Sequence, residues 1–357
     1  MINKINRLFS KIFAFIYLLC FKVRWRKVIR KYDRTSDNII WIKTHPLLHL
    51  LDYLKYNDLL SDVALIDSFA QLKPSYRIVV SKNIGKIVNK KIFYNISETC
   101  NFYNLANYSN SLFFVVSELE KQGNKIFPGS YEVNLWENKA FMQEEFNRLE
   151  ISHPKTLIIN RNSNELPIQD LKYPVLVKEI HSAGSRGVKK VNNQSELEER
   201  VKEAFDKGHS KVLVQHLINM RKDLRVIVMK SSIVLYYWRV NNTKEWKPTA
   251  TSFGNTTEFG NFPSIWQDFF VTTLDKLNIP TGAFDIAWEG DDIKTTPLVL
   301  EVSPSYQPNP ELPPQYKSLP FKEYKKKLFI KNAYHKEYID IVFKIKMDLV
   351  KTWFDYA

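Results

Sequence analysis

The 357-residue chain is long enough for two or three subdomains around shared cores, and its 44% apolar and 14% aromatic content exclude wholesale disorder. Two cysteines, Cys20 and Cys100, exclude a disulfide framework and fit a reducing, cytoplasmic location, and no Cys/His cluster has zinc spacing. The net charge of +14 sits at the ends: residues 1–35 carry ten Lys/Arg against Asp33 alone, residues 317–357 carry ten Lys against five acids, and the middle is neutral. A nucleic-acid binder would carry a basic stripe on its folded domain, so this distribution argues against that partner.

In chain order, residues 12–21 (IFAFIYLLCF) form a ten-residue apolar run between Lys11 and Lys22. As a helix it reaches about 15 Å, half of a hydrocarbon core of about 30 Å, so it is too short to span. No small-residue cleavage site follows it, which disfavours a signal peptide. Residues 1–35 therefore read as a basic amphipathic segment on the inner face of an anionic membrane, or as a helix packed on the domain. Residues 36–125 read as a small parallel α/β layer, with strands at 38–43 and 77–81 and helices at 46–60 and 111–122. Residues 126–316 read as the main domain. It has a short strand at 125–127, a helix at 138–150 and a strand at 155–159. From 173 strands dominate: 175–179, 188–191, 211–216, 224–230, 232–237, 283–288 and 298–303. Helices interrupt them at 194–207 and 263–277, the first capped by Asn192 or Asn193 and closed by Gly208. A flap subdomain is expected at about 173–210 and a C-terminal subdomain at 211–316, with a basic helical segment from 317 to the end.

Three stretches carry candidate chemistry. The loop at 181–188 (HSAGSRGV) has Gly184 and Gly187, which let a backbone approach a ligand, and Ser182 and Ser185, which add hydroxyl donors. Lys178 on the preceding strand could reach a phosphate under that loop. It is neither a Walker loop nor a dinucleotide fingerprint, and a plain surface hairpin is the competing reading. In the final hairpin, Asp285 and Glu301 lie on neighbouring strands, and period two puts Glu301 and Ser303 on one face. Carboxylates inside apolar runs need a cation or a partner, and magnesium takes such oxygens together with substrate phosphates. The strand at 212–218 (VLVQHLI) ends in a connector whose backbone groups could read an adenine edge, or is a plain edge strand.

In this order the pieces resemble the ATP-grasp enzymes over about residues 36–315, closest in pattern to the ribosomal-protein glutamate ligase and glutathione-synthetase-like branches. The ordered set is Asn138–Lys139 opening a helix, Lys178 with its loop, the QHLI hinge, Asp223 and Arg225, Arg239, and Asp285 followed by Glu301. The resemblance implies an α+β fold in which two subdomains with antiparallel sheets sandwich ATP behind a small N-terminal parallel layer. It implies that Lys139 and Lys178 bind phosphates, under a flap of Ser182, Gly184, Ser185 and Gly187. It further implies that Gln215 and Leu217 bind adenine through backbone groups, and that Asp223 takes the ribose hydroxyls. Arg225 and Arg239 would face the γ-phosphate or an acyl phosphate, and Asp285, Glu301 and Ser303 would hold Mg2+, or Mn2+ in its place. Two positions depart from the pattern: Ser303 stands where the family has asparagine, with Asn309 as a substitute, and His216 stands where an acid is common.

The implied activity is ATP-dependent joining of a carboxylate to an amine through an acyl phosphate. The basic ends suggest a nucleotide- or lipid-linked sugar as a substrate in cell-surface polysaccharide modification. Two alternatives stay open, a kinase on the same fold and a membrane-associated scaffold with a decayed nucleotide site. Arg239, Lys247 and the run at 249–257 (TATSFGNTT) are candidate anion contacts, the run being otherwise a solvated loop.

Overall fold

The computed structural model describes residues 18–43, 59–72, 74–81, 84–96, 108–136, 138–163, 171–182, 185, 187–243, 245–250, 253–306, 308, 311 and 336–356. Three sheets organise them.

The first sheet is parallel, in the order β2-β1-β3-β4, from β1 (Asn38–Ile42), β2 (Arg77–Val80), β3 (Lys91–Tyr94) and β4 (Lys125–Phe127). Its central strand, NIIWI, is apolar on both faces because both are covered. Ile39 and Trp41 pack under helix α3 (Tyr108–Lys121), through Leu112, Val116 and Leu119. Ile40 and Ile42 pack under α2 (Leu59–Gln71) and the C-terminal helix α8 (Lys336–Tyr356), through Leu65, Phe69, Leu349 and Trp353. The basic C-terminal segment thus contributes a core helix of the N-terminal layer.

The second sheet is antiparallel, in the order β5-β8-β6-β7: β5 (Thr156–Asn160), β6 (Val175–Glu179), β7 (Val188–Val191) and β8 (Lys211–His216). Helix α6 (Gln194–Asp206) covers one face with Leu197, Val201 and Ala204. Its start is fixed by Asn193, whose side chain accepts from the Glu196 amide.

The third sheet is also antiparallel, in the order β11-β10-β9-β12-β13, with β9 (Lys222–Met229), β10 (Ser232–Val240), β11 (Thr256–Glu258), β12 (Thr281–Ala287) and β13 (Leu298–Ser303). One face carries Leu224, Val226, Val228, Phe284 and Ile286 and is covered by α7 (Gln267–Leu277) and by α5 (Lys139–Arg148). Helix α5 stands between the antiparallel sheets: Met142 and Phe146 join this core, and Ala140 packs with Ile180 and Leu213 of the other. A β-bulge opposite Asp285 and Ile286 leaves Leu300 without a partner. It lets Val299 and Val302 both enter the core while Glu301 and Ser303 share the opposite face.

Several sequence expectations change here. The helix expected at 46–60 falls largely outside the described residues, and the described helix is Leu59–Gln71. Strand β3 is only KIFY between polar flanks, too short for its period to show, and it forms because β1 offers a parallel edge. The strand at 211–216, grouped by sequence with the C-terminal subdomain, pairs with β5 and β6 in the flap sheet. Most of the 12–21 run lies outside the described residues. Its described end forms a π-helical turn, Leu18–Lys22, whose Leu18 is 0% exposed in a core with Leu60, Val63 and Ile339. Among the described residues, no helix is long and apolar enough to cross a membrane.

Candidate active site

The free face of the third sheet is charged. Asp223 and Arg225 are two apart on β9, and Arg239 on β10 lies across from Asp223. Asp285 on β12 lies across from Arg225, and Glu301 on β13 lies across from Asp285. The period-two expectation for the final hairpin matches this placement: Glu301 and Ser303 share the face, Ser303 opposite Ala283.

Across from this face stand two lysines. Lys139 is the first residue of α5, whose N-cap Asn138 accepts from the Phe141 amide. Its backbone N–H donates to Ile180, its ammonium donates to the Ser182 carbonyl at 2.6 Å, and it lies 3.9 Å from Glu301. Lys178 sits near the end of β6, and its pKa is pushed down to about 8. Burial is the main cause, opposed by the Glu301 carboxylate and reinforced by the Lys139 charge. Both lysines thus feel the Glu301 carboxylate, and each adds positive charge across from the charged face of the third sheet.

The loop after Lys178 is folded tightly onto its strand. The Glu179 N–H donates to the Gly187 carbonyl, and the Ser182 hydroxyl donates to the Glu179 carbonyl. A Cβ on Gly187 would lie 2.8 Å from Glu179 Cβ and from Ser182 Oγ, so only glycine fits. Ser185 takes a left-handed conformation at φ 58°. Gly184 lies outside the described residues. Glu179 is anchored beneath the loop by Lys207 at 2.7 Å and His209 at 3.6 Å. A hydrogen bond from His209 is the leading cause of its pKa falling to about 2. Ser109 Oγ of α3 and His181 Nδ1 lie 2.6 Å apart, which ties the N-terminal layer to the start of the loop.

The structure revises the role of Asp223. It is 0% exposed, and both its oxygens accept from the Arg239 guanidinium, so it is not available to ribose hydroxyls. Burial raises its pKa, with the Arg239 charge opposing. Arg239 is committed in turn: burial alone would lower its pKa, but Asp223 and Asp285 hold it well above the ordinary value. It contacts Asp285 at 2.8 Å, and Arg225 contacts the other Asp285 oxygen at 3.0 Å. The result is a buried chain of alternating charge, Asp223–Arg239–Asp285–Arg225. The Arg225 Nε–H at its end is buried with no hydrogen-bond partner.

This arrangement tests the donor set for magnesium. Both Asp285 oxygens are taken by arginines, and among the described residues no group of three or more His, Cys, Asp or Glu side chains could hold a metal ion. Glu301, with Ser303 beside it, is the carboxylate left over. Magnesium is commonly bound by one or two carboxylates plus substrate phosphates and water, so the residues fit a single ion that arrives with a nucleotide. They do not fit an all-protein metal cage, and Asp285, held by Arg225 and Arg239, is not a free ligand. Asn309 lies outside the described residues.

At the hinge, Gln215 sits within the ladder between Thr156 and Leu176, and its side chain donates to Thr156 Oγ1. The His216 N–H donates to Lys155, which leaves Leu217 as the first residue beyond the strand. Within the 249–257 run, Thr249, Asn255 and Thr257 are buried and Phe253 is exposed, and Asn255 donates to Pro248 and Ala250. Thr249 bonds the Asp223 carboxylate, and half-buried Lys247 donates to the Phe253 carbonyl. Sequence reasoning missed Tyr306, a half-buried phenol 2.6 Å from Thr281 Oγ1 that senses the Arg225 charge. It also missed Ser305, which donates to Ile96 in the N-terminal layer. The run SPSY directly after Glu301 was the available signal.

A family model described as "D-ala D-ala ligase C-terminus" matches residues 135–247. In solved structures, the D-alanine–D-alanine ligase from Bacillus anthracis complexed with ATP is similar at TM-score 0.53 and 12% identity, over 90% of this chain and 100% of that one. D-cycloserine synthetase DcsG is similar at TM-score 0.53 and 10% identity, over 87% of this chain and 99% of that one. No curated protein matches in sequence. The fold is that of the ATP-grasp enzymes, and the family model matched over residues 135–247 is similar to the same group. The particular relatives matched are ligases and a synthetase.

Proposed function

We propose that the protein is an ATP-dependent carboxylate–amine ligase that works through an acyl phosphate. The observation that carries the reading is the pair Lys139 and Lys178, converging with Glu301 opposite the Arg225–Asp285–Arg239 chain. The substrate carboxylate oxygen attacks the γ-phosphorus, the bond to the β,γ-bridging oxygen breaks, and ADP leaves. The amine nitrogen then attacks the acyl carbon, the carbon–oxygen bond to phosphate breaks, phosphate leaves, and the amine gives up a proton. Lys139 and Lys178 hold phosphate oxygens, which is where charge accumulates. Arg225 keeps an Nε–H without a partner, a donor left over for an anionic group of the reaction. The 182–187 loop excludes water, which would otherwise hydrolyse the acyl phosphate. Glu301 and Ser303 would hold magnesium, which supplies charge neutralisation on the nucleotide phosphates.

Adenine lies at the hinge past Gln215, against Leu217. The acid or amine belongs to a sugar-bearing precursor of a cell-surface polysaccharide, a reading that rests on the basic ends alone. The test is ADP release from Mg-ATP with pooled amino acids and uronic acids. Release that requires both an acid and an amine supports ligation. A stable phosphorylated product formed without an amine assigns a kinase instead.

A further inference from the structure

Among the described residues, eight large apolar side chains are exposed, and three of them fall on one short helix and its cap. They are Trp25, Ile29 and Tyr32 on α1 (Trp25–Lys31) and its C-cap. At 100° per residue they lie within about 60° of arc, a single outward stripe. The segment is held at one flank of the stripe and by the chain before it: Val28, next to Tyr32 on the helix, and Leu18 and Val23 upstream are buried against Leu60, Val63, Ala64 and Val342. Lys22 pairs with Asp340, and Arg24 donates to Gln71. The stripe is therefore presented by a docked helix rather than a loose end. Exposed Arg26, Lys27, Arg30 and Arg34 surround it, with Asp33 as the one acid between residues 18 and 36.

We infer that this face of α1 is a docking surface for an anionic lipid bilayer. Tryptophan and tyrosine flanking an isoleucine, with arginines alongside, match the level where headgroups meet acyl chains. The charge excess is complementary to anionic headgroups. A protein partner is disfavoured by size: seven helical residues, about 10 Å long on a helix about 10 Å wide, present on the order of 100 Å², far less than the surface of about 800 Å² per partner that a stable protein interface buries. A bilayer needs no matching contour. The contact moves from the 12–21 run, whose described end is core, to the next turn of chain. Because α1 is packed on α2 and α8, docking would fix the orientation of the whole N-terminal layer toward the membrane. This goes beyond the ligase reading and does not depend on it.

The test is co-sedimentation of the full chain with vesicles of phosphatidylcholine alone, or with about 30% phosphatidylglycerol, at low salt and at about 0.5 M salt. Wild type should bind the anionic vesicles at least tenfold more tightly than the neutral ones and lose most of that preference at high salt. Ile29→Asp should lower binding to anionic vesicles at least tenfold. Ile265→Asp, at a comparably exposed isoleucine on another face, should leave it unchanged. Equal binding to both vesicle types, or no binding, overturns the inference. So does an Ile29→Asp protein that melts like wild type and binds as wild type does. Mg-ATP turnover in solution, measured on the same Ile29→Asp protein, reports the ligase reading separately.

Discussion

Replacing Lys178 by methionine should make the protein more stable and useless to nucleotide. Burial lowers the Lys178 pKa from 10.5 to about 8. At about 1.4 kcal/mol per unit, holding that charge costs the empty fold about 3 kcal/mol at neutral pH. The sign follows from proton counts. Below about pH 8 the lysine is charged in both folded and unfolded chains, and the full cost is present. Between about 8 and 10.5 the folded chain gives up its proton first, so the wild-type fold gains stability as pH rises. Methionine keeps the aliphatic length and removes the charge. Nucleotide-free Lys178→Met should melt several degrees higher than wild type at pH 7, about 5 °C for a chain of this size, with the gap closing by pH 10. Wild type with saturating Mg-ATP should gain about 2–3 kcal/mol by ligand linkage, a gain the variant should lose. Wild-type affinity for ATP should also fall as pH rises through about 8. Differential scanning calorimetry across this pH range, with and without Mg-ATP, reads all of this. A methionine variant that melts below wild type without nucleotide, or that keeps the Mg-ATP shift, refutes the reasoning.

Asp223→Asn should behave in the opposite way. It leaves the Arg239 guanidinium buried with a poorer partner, and breaking such a pair costs about 3–5 kcal/mol; the lower end applies because Arg239 keeps Asp285. Urea unfolding should show that loss, and the added variant Arg239→Gln should not cost the same again. Gly187→Ala forces a Cβ into Glu179 and should raise the KM for ATP about tenfold with little change in melting temperature, since the loop is local. Magnesium alone, without nucleotide, should leave the melting temperature unchanged, and a shift with the bare ion would contradict the single-carboxylate site.

The elements legible in the sequence were those with clear apolar runs or caps. Strands β6, β8, β9 and β10 read as runs rich in valine, isoleucine, leucine and aromatic residues between polar turns, and α6 announces its cap in Asn193. Lys139, Lys178, Asp285 and Glu301 were found by chain order, and all four meet in space. What the sequence hid was pairing. The family resemblance implied a ribose role for Asp223, yet its cross-strand neighbour is Arg239, sixteen residues on, and register alone decides that. Likewise 211–216 looked contiguous with β9 but is the centre of the flap sheet. Leu18 looked like membrane-facing chain because the core that covers it comes from α2 and α8, far along the sequence. Trp25, Ile29 and Tyr32 were hidden within a basic run, and only their exposure on the folded chain, beside the buried Val28, shows which side faces out.

The charge pattern of the site follows from one placement. Putting Asp285 between Arg225 and Arg239 satisfies a buried carboxylate that would otherwise be costly, and it neutralises two guanidiniums at once. It also uses up the acid best placed to attract a bare cation. Lys139 and Lys178 then add positive charge against Glu301 alone, so the empty face carries four cations and three anions. Such a face repels free magnesium and attracts phosphate. The missing counter-charge has to come from the nucleotide, which brings both the anion the lysines lack and the oxygens a metal needs beside Glu301. On this geometry the metal site is completed by the substrate, and serine at 303 suffices where a protein-only cage would demand a stronger ligand.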